Sequence, residues 1–274
     1  MGETGTLHRV PRRPHAWLAL FLPSQLLVAL AWWAWGWRIG LPLLALSHLP
    51  FVAATLLPRA RLYAPVLSRL PATGRVAWLT IDDGPSEDTP AILDLLDAHG
   101  ARATFFLVGE RAAARPQLVA EIVRRGHGIG NHSHTHPQAW FWALGPRRMA
   151  REVGDAQRTL AELTGTPPRW FRSVVGMTNP FVAAPLKRHG LARVAWSARG
   201  FDAVRDDPAR VAADIERDLA PGAIILMHEG APHGRSVEMI EAVLECLRAR
   251  GYATVLPVDA RAQPVTAKAE GPVG

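Results

Sequence analysis

Two adjacent carboxylates follow a short apolar run in the first third of the chain. Residues 76–80 have the length and composition of a buried strand, and Asp82, Asp83, Gly84 and Pro85 come directly after it. Adjacent carboxylates repel each other, and consecutive side chains project in different directions. The pair therefore suits two tasks, in which one carboxylate binds a cation and the other accepts a proton. An ordinary turn is the alternative, because Asp-Gly-Pro is also common turn chemistry.

A histidine-rich segment follows another predicted strand. Residues 131–137 read Asn-His-Ser-His-Thr-His-Pro. If this segment opens a helical turn, His132 and His136 share a face at a spacing that lets two imidazoles bind one divalent ion, while His134 points away. Together with one carboxylate, two histidines leave coordination positions open for water and substrate, as catalysis requires. The alternative is a disordered metal-sequestering tract, but such tracts are longer and follow no strand.

A third polar position ends an apolar strand late in the chain, where residues 224–228 read Ile-Ile-Leu-Met-His. By itself His228 is more typical of a hydrogen-bonded surface histidine. Its interpretation as a functional residue depends on the other two clusters. Cys246 is the single cysteine and lies on the apolar stripe of a predicted helix, which favours a buried structural thiol over a nucleophile.

The elements that must position these residues alternate along the chain. We predict seven strands and six intervening helices, which include helices over residues 90–99, 116–125 and 146–164. Strict alternation indicates parallel strands with right-handed crossovers, and hence an α/β barrel or a doubly wound sheet. The carboxyl ends of barrel strands form the active-site face, and all three polar clusters follow strands. The predicted strands cover residues 76–80, 103–108, a run ending near 131, 169–172, 192–196, 223–227 and 252–256.

The N-terminal region has a different character. Residues 16–37 carry no charge and are long enough to cross a bilayer, with four tryptophans at one end as at a headgroup interface. A second uncharged stretch, 39–57, contains Pro42 and Pro50 and is either a kinked second span or a re-entrant segment. Arginines flank both outer ends, which favours a hairpin with both flanks in the cytoplasm. A cleaved signal peptide is the alternative, although no small-residue cleavage pattern follows.

Charge excludes one class of partner. The net charge of +7 comes largely from arginines scattered along predicted helices rather than clustered with aromatics, so we expect solvated helix faces near anionic lipid and no nucleic acid.

Together, the segments Thr80-Ile81-Asp82-Asp83-Gly84, His132-Ser-His-Thr-His136 and Leu226-Met227-His228 resemble three of the five motifs of the polysaccharide deacetylase family, the NodB homology domain of carbohydrate esterase family 4. The likeness covers roughly residues 74–256. It implies a distorted barrel of about seven strands and a hydrolase that removes an N-acyl group, most commonly acetyl, from an amino sugar.

The resemblance also implies roles for individual residues. Asp82 would be the general base and His228 the general acid, and Asp83, His132 and His136 would hold one divalent ion. Zinc suits this ligand set, although cobalt or nickel would fit. The remaining roles fall on Arg172, which would orient the base carboxylate, Asp202, which would tune the acidic histidine, and the backbone N–H of Val175, which would bind an oxyanion.

Two segments depart from the family pattern. Ser173, Val174 and Val175 follow the third-motif arginine where a proline and an aromatic residue are usual. In the fourth motif, Arg199 replaces one acid and Ala203 stands where tryptophan is usual. The wall of the sugar pocket must therefore differ, so the substrate is expected to differ from ordinary chitin or peptidoglycan.

These observations predict an organisation and leave three functions open. The expected segments are a basic tail (1–15), a membrane region (16–57), a linker along the membrane surface (58–74), the catalytic domain (75–258) and a disordered tail (259–274). The functions are deacetylation of a glycan or its lipid-linked precursor, deformylation of an amino sugar on a polyprenyl phosphate, and non-catalytic carbohydrate binding. A hairpin places the domain at the cytoplasmic face of the cytoplasmic membrane; a single span places it on the periplasmic or extracellular face.

Overall fold

The computed structural model describes residues 7–257, and the predicted tail at 259–274 lies outside them. Two apolar helices, α1 (Leu18–Trp35) and α2 (Trp37–Leu56), are joined at Gly36, whose φ of 79° turns the chain back. The two helices pack antiparallel. The indole of Trp32 lies against Gly40, where an added Cβ atom would come within 2.5 Å of the ring. Helix α2 continues through Pro42 and Pro50.

The two helices, of 18 and 20 residues, are long and apolar enough to cross a membrane, with mean hydropathies of 1.6 and 1.7 over an 18-residue window of each. Only 6% and 17% of these stretches are buried. In a soluble protein, a core helix of this composition would be mostly covered by other elements. This exposure distinguishes the pair from core helices.

The rest of the described chain is a curled parallel sheet covered by helices. The sheet order is β1-β6-β5-β4-β3-β2-β8-β7, with β9 paired to β2, and all these pairings are parallel. Its strands are β1 (Val66–Leu67), β2 (Val76–Gly84), β3 (Ala103–Leu107), β4 (Gly128–Asn131), β5 (Trp170–Phe171), β6 (Ala192–Val194), β7 (Ala198–Arg199), β8 (Ala223–His228) and β9 (Ala253–Thr254).

Helices follow most strands, as right-handed parallel crossovers require. They are α3 (Thr89–Ala98), α4 (Gly109–Ala114), α5 (Pro116–Arg124), α6 (Pro146–Thr164), α7 (Ala183–Arg188), α8 (Pro208–Asp218) and α9 (Ser236–Ala249). The distorted (β/α) barrel expected from the sequence is confirmed, as an open barrel in which β6 and β7 follow each other without pairing.

Alternation along the strands decides which side chains face the barrel interior. In β2, Leu79 and Ile81 pack in the cluster beneath the surrounding helices, whereas Trp78 packs in the inner cluster. Because side chains alternate, Asp82 shares the inner face with Trp78. The same alternation puts Ile225 of β8 outside and His228 inside. The general base and acid expected from the sequence thus point into one space.

The region expected to be a membrane-surface linker is partly integrated into the barrel. Within 58–74, Tyr63 and Ala64 are buried, and β1 pairs with β6. The two-residue strands β1 and β7 were not predicted from the sequence. Several predicted strands are also longer than the observed ones.

Candidate active site

The candidate site lies at the carboxyl end of the barrel. Asp82 is directly opposite His228 in the register of β2 and β8, and Asn131, at the end of β4, is opposite Phe171 of β5. His132 and Arg172 therefore leave their strands at adjacent points. The polar clusters that are far apart in sequence converge because parallel strands end at the same edge of the barrel.

Three side chains form a compact group of possible metal ligands. The side-chain ligand atoms of Asp83, His132 and His136 all lie within 4.8 Å of one another. Asp83 Oδ1 is 2.9 Å from His136 Nε2 and 3.3 Å from His132 Nε2. Burial alone would raise the pKa of Asp83, but the two imidazoles hold it well below its usual range. The carboxylate is thus an anionic ligand at neutral pH.

The donor chemistry of this group fits a divalent cation. His132 Nδ1 lies 2.9 Å from the carbonyl oxygen of Arg172, and neutral imidazole must place its proton there to bond that acceptor. Nε2 is then the nitrogen that can bind an ion, and an ion beside Asp83 would take the place of a proton between the two groups. The buried Asp83 Oδ1 has no other N–H or O–H donor within residues 7–257. Two imidazole nitrogens and one carboxylate with no further protein partner are the donor set of a catalytic zinc-type site.

The backbone around these ligands is in a sparsely populated conformation. Asp83, Ser133 and His136 have φ angles of 72°, 71° and 54°, in the left-handed region that non-glycine residues rarely adopt. Residues 132–138 form an irregular loop, so the helical turn considered as a condition in the sequence analysis is not formed. The left-handed His136, rather than an i, i+4 helical spacing, brings the second imidazole back to Asp83.

Asp82 belongs to a separate buried network. Arg172 Nη1 donates to Asp82 Oδ1 and to Thr80 Oγ1, each at 2.7 Å. The guanidinium is fully buried, which lowers the pKa of Arg172, while Asp82 opposes that shift. Asp82 Oδ2 is left 3.7 Å from His132 Nε2, beside the metal group. One oxygen is thus held by the arginine, and the other faces the ligands.

His228 is held by Asp202, which follows β7. The Asp202 carboxylate lies 3.0 Å from His228 Nδ1 and accepts the His228 backbone N–H at 2.6 Å. Burial alone would lower the pKa of His228, but Asp202, with Asp83 and Asp82, raises it to about 9. The His228 ring is therefore positively charged at neutral pH, and its Nε2 faces away from Asp202.

Val175 is in the loop after β5, in a short 3-10 turn (Val174–Gly176). Its φ of 47° is unusual for a β-branched residue, and its side chain is 43% exposed. Gly176 next to it has a φ of 75° and packs against Trp196 and Pro58. The loop that resembles the third motif is thus present but strained, and its apolar side chain is at the surface.

Comparison with known proteins now identifies the family. Residues 69–194 match the family model described as polysaccharide deacetylase. A chitooligosaccharide deacetylase of Bradyrhizobium is 33% identical over 185 residues, which are 67% of this chain and 84% of that protein.

The chain belongs to the polysaccharide deacetylase family.

Two further members of this family are similar. A peptidoglycan-N-acetylglucosamine deacetylase of Listeria monocytogenes is 31% identical over 69% of this chain, which spans only 39% of that longer protein. The structure of a family 4 carbohydrate esterase from Streptomyces lividans in complex with acetate superimposes with a TM-score of 0.61 at 32% identity, covering 68% of this chain and 93% of that one. Polysaccharide deacetylases of this type are hydrolases of the carbon–nitrogen amide bond of sugars.

Some residues that shape this deacetylase site were not found from the sequence. Glu152 of α6 is buried and accepts the backbone N–H groups of His134 and Thr135 and the Thr135 hydroxyl. It thereby ties down the loop that carries His136. Its signal was present: Glu152 interrupts the apolar stripe of α6 beside Val153, where a charged residue needs a partner.

Two other polar groups support the deacetylase loops. Arg111 donates to the backbone carbonyl oxygen of Asp83. Glu229, next to His228, is buried and accepts hydrogen bonds from the side chains of Ser86 and Thr89; burial raises its pKa, and these bonds oppose that shift. Both residues position the ends of strands that carry the candidate catalytic groups.

The fourth-motif departure has a structural counterpart. The guanidinium of Arg199 lies over the ring of Phe201 at 3.8 Å and near Trp196 at 5.5 Å. Arg199 therefore fills space beside the site with a cation stacked on aromatic rings, where the family pattern has an acid. Beside the deacetylase site, this chain therefore has a cation where the family pattern has an acid.

Proposed function

We propose that the protein is a membrane-anchored, metal-dependent deacetylase that removes the acetyl group from N-acetylglucosamine units of a glycan. The supporting observation is the convergence of three ligand atoms, from Asp83, His132 and His136, beside the arginine-held Asp82 and the aspartate-held His228. The relatives named for deacetylation of chitooligosaccharide and of peptidoglycan N-acetylglucosamine support the substrate class.

The proposed ion would be held by Asp83, His132 and His136. A divalent ion in such a set lowers the pKa of water to about 7 and polarises the amide carbonyl. Zinc suits the two-nitrogen, one-oxygen donors, and cobalt or nickel would also fit. The chain supplies an anionic carboxylate and an imidazole oriented by the Arg172 carbonyl for this purpose.

The remaining residues would divide the proton transfers. Asp82 Oδ2, on the side facing the ligands, would accept the proton of the attacking water while Arg172 holds Oδ1 in place. The Val175 N–H would donate to the oxyanion, and one such donor is typically worth about 3 to 4 kcal/mol. His228 would donate a proton to the departing amine, because its pKa of about 9 keeps it charged at neutral pH.

The identity of the acyl group is a separate part of the proposal. Acetyl is favoured by the named relatives. A formyl group on a polyprenyl-phosphate-linked amino sugar is the second candidate, because the apolar hairpin contacts the site loops and Arg199 replaces an acid beside the pocket. Measuring both acetate and formate released from polymeric and lipid-linked amino sugars distinguishes the two substrates.

Membrane anchoring by α1 and α2 is proposed from their length, hydropathy and exposure. Arginines at 9, 12 and 13 before α1 and at 59 and 61 after α2 favour a cytoplasmic catalytic domain in the cytoplasmic membrane. A reporter fused after Gly274 should then be active only in the cytoplasm; activity only outside it would refute this orientation.

Metal content tests the core of the proposal. The purified protein should bind about one divalent ion per chain, and His136→Ala should lose it, because a third ligand is removed. His134→Ala is the matched control, since His134 lies in the same segment but outside the ligand group, and it should keep the ion. Equal metal occupancy in wild type and His136→Ala would contradict the assignment.

A further inference from the structure

Exposed apolar side chains outside the hairpin gather at one end of the barrel. Within residues 58–257, seven large hydrophobic residues are exposed, and six of them lie on loops that follow β4, β5 and β7 at the carboxyl end. Val123 on α5 is the exception. These loops surround the candidate site. The six residues, here called the apolar rim, are Trp140, Trp142, Val175, Phe181, Phe201 and Val204.

The base of the apolar hairpin contacts the same loops. The Thr178 N–H donates to the Thr55 carbonyl at 3.0 Å, and Phe51 of α2 packs in one buried cluster with Phe141 and Val174. Directly after α2, Arg59 donates to the carbonyl oxygen of Trp196 at 2.9 Å. The hairpin therefore leaves the barrel from its carboxyl end. A membrane that contains the hairpin begins beside the site.

Cations are placed beside this junction. A cavity of about 680 Å³ near the hairpin base is lined by His15 and Phe181 together with three arginines, and no carboxylate lines it. The arginines are Arg147, Arg151 and Arg188, and all three are exposed. Arginine and exposed aromatic side chains side by side are the composition of surfaces that bind anionic phospholipid headgroups.

We propose that the carboxyl end of the barrel rests on the surface of an anionic phospholipid bilayer, with the apolar rim in the interfacial layer and these arginines among the headgroups. The proposal rests on the membrane anchoring proposed above. It deepens that function, because the metal group then opens toward the membrane. The sugar that reaches it should be held at the bilayer surface by a lipid, and a free polymer in solution should be a poorer substrate.

The test measures which end of the barrel lies near lipid. Single cysteines replace Val204 on the rim, Ala249 at the opposite end and Leu27 in the hairpin, all exposed, in a Cys246→Ala background. Each full-length protein carries an environment-sensitive NBD fluorophore in nanodiscs of phosphatidylcholine and phosphatidylglycerol. Some discs contain lipid with a nitroxide quencher at the headgroup or along the acyl chain.

We expect the headgroup quencher to reduce emission at position 204 about twofold or more and to leave position 249 unchanged, because interfacial side chains lie within about 10 Å of the headgroup boundary. The acyl-chain quencher should act at position 27. Omitting phosphatidylglycerol should weaken quenching at position 204.

Each of the other possible results contradicts one stated part of the proposal. Quenching at position 27 with equal responses at 204 and 249 refutes the docking while the anchoring stands. Absence of quenching at position 27 refutes the anchoring, and with it this proposal. Quenching at 204 that is indifferent to phosphatidylglycerol refutes the role of the arginines. None of these readouts requires activity, so they remain interpretable if the deacetylase assignment fails.

Discussion

The two ends of the barrel differ in which residue types adopt a left-handed backbone conformation. At the amino end, six turns that lead into a strand use a glycine with positive φ, the residue type that adopts this conformation without strain. Within residues 7–257, five non-glycine residues have positive φ, and all five lie at the carboxyl end. The glycines are Gly100, Gly126, Gly165, Gly190, Gly222 and Gly251, and the non-glycine residues are Asp83, Ser133, His136, Val175 and Phe201.

Buried polar atoms without a partner show the same contrast. Most of those found in residues 7–257 belong to residues of the carboxyl-end loops, such as Asp83, Ser133 and Glu229. The difference indicates that one end of the barrel is built for stability, whereas the other accepts strain to hold specific side chains. Changes at the carboxyl end should therefore act on activity, and changes at the amino end on stability alone.

The largest effect on both properties is expected at Arg172. Arg172→Met removes the arginine that bonds Asp82 and leaves that carboxylate buried without its cation, a loss that typically costs about 3 to 5 kcal/mol. Activity should fall at least about 100-fold, since the base is no longer held. Urea unfolding and kcat measure the two effects.

Arg193→Met is the matched control for this change. Arg193 is equally buried, but its Nε and Nη1 have no hydrogen-bond partner in residues 7–257, and burial lowers its pKa to about 10. Its replacement should cost less stability than Arg172→Met and should leave kcat near the wild-type value. Equal losses of activity in the two variants would contradict the specific role given to Arg172.

A pH-dependent effect is expected at Asp202. Asp202→Asn removes the carboxylate that raises the pKa of His228 to about 9, so the alkaline limb of the kcat/KM profile should move to lower pH. The folded pKa lies above the ordinary 6.5, so the stability that this pair contributes is complete below pH 6.5 and lost as pH rises through about 9.

Two measurements check the Asp202 prediction. The kcat/KM profile between pH 6 and 10 should show the shifted limb, and the stability difference between wild type and Asp202→Asn should narrow above about pH 9. An unchanged alkaline limb would show that His228 is not the group whose protonation limits the rate.

The smallest effects on stability are expected from two substitutions, one that removes a glycine and one that introduces a glycine. Gly165→Ala places a Cβ in open space at φ 69° and should destabilise the protein by about 1 kcal/mol without changing kcat. Val175→Gly relieves a β-branched residue at φ 47° and should stabilise it by about 1 kcal/mol while lowering kcat, because the loop loses its fixed shape. Changes of the same sign in unfolding free energy would break the comparison.

The barrel could be predicted from the sequence, because buried strands such as β2 and amphipathic helices such as α6 show recognisable patterns of apolar residues. The sequence also identified five candidate site residues, because their spacing resembles family motifs. They are Asp82, Asp83, His132, His136 and His228. Prediction from the sequence failed at the loop of residues 132–138, because the left-handed Ser133 and His136 depend on Glu152 in a later helix. Local patterns contain no such tertiary contact.

The contacts of the hairpin were also beyond the sequence. Its apolar composition predicted one or two spans, but nothing local indicates that α2 ends against the loops around Val174 and Trp196. The short strand β1 was interpreted as part of the linker for the same reason, since its partner strand β6 is more than 120 residues away in the sequence.

The division of labour between Asp82 and Asp83 is the central claim, and metal content measured together with kcat in asparagine variants tests it most directly. Asp83→Asn should lose metal affinity and activity together, and excess metal should restore part of the rate, because a charged ligand is weakened. Asp82→Asn should keep the ion and lose about 100-fold to 10,000-fold in rate, with no recovery in excess metal, because only the base is missing. Loss of the ion from Asp82→Asn and its retention in Asp83→Asn would contradict the account.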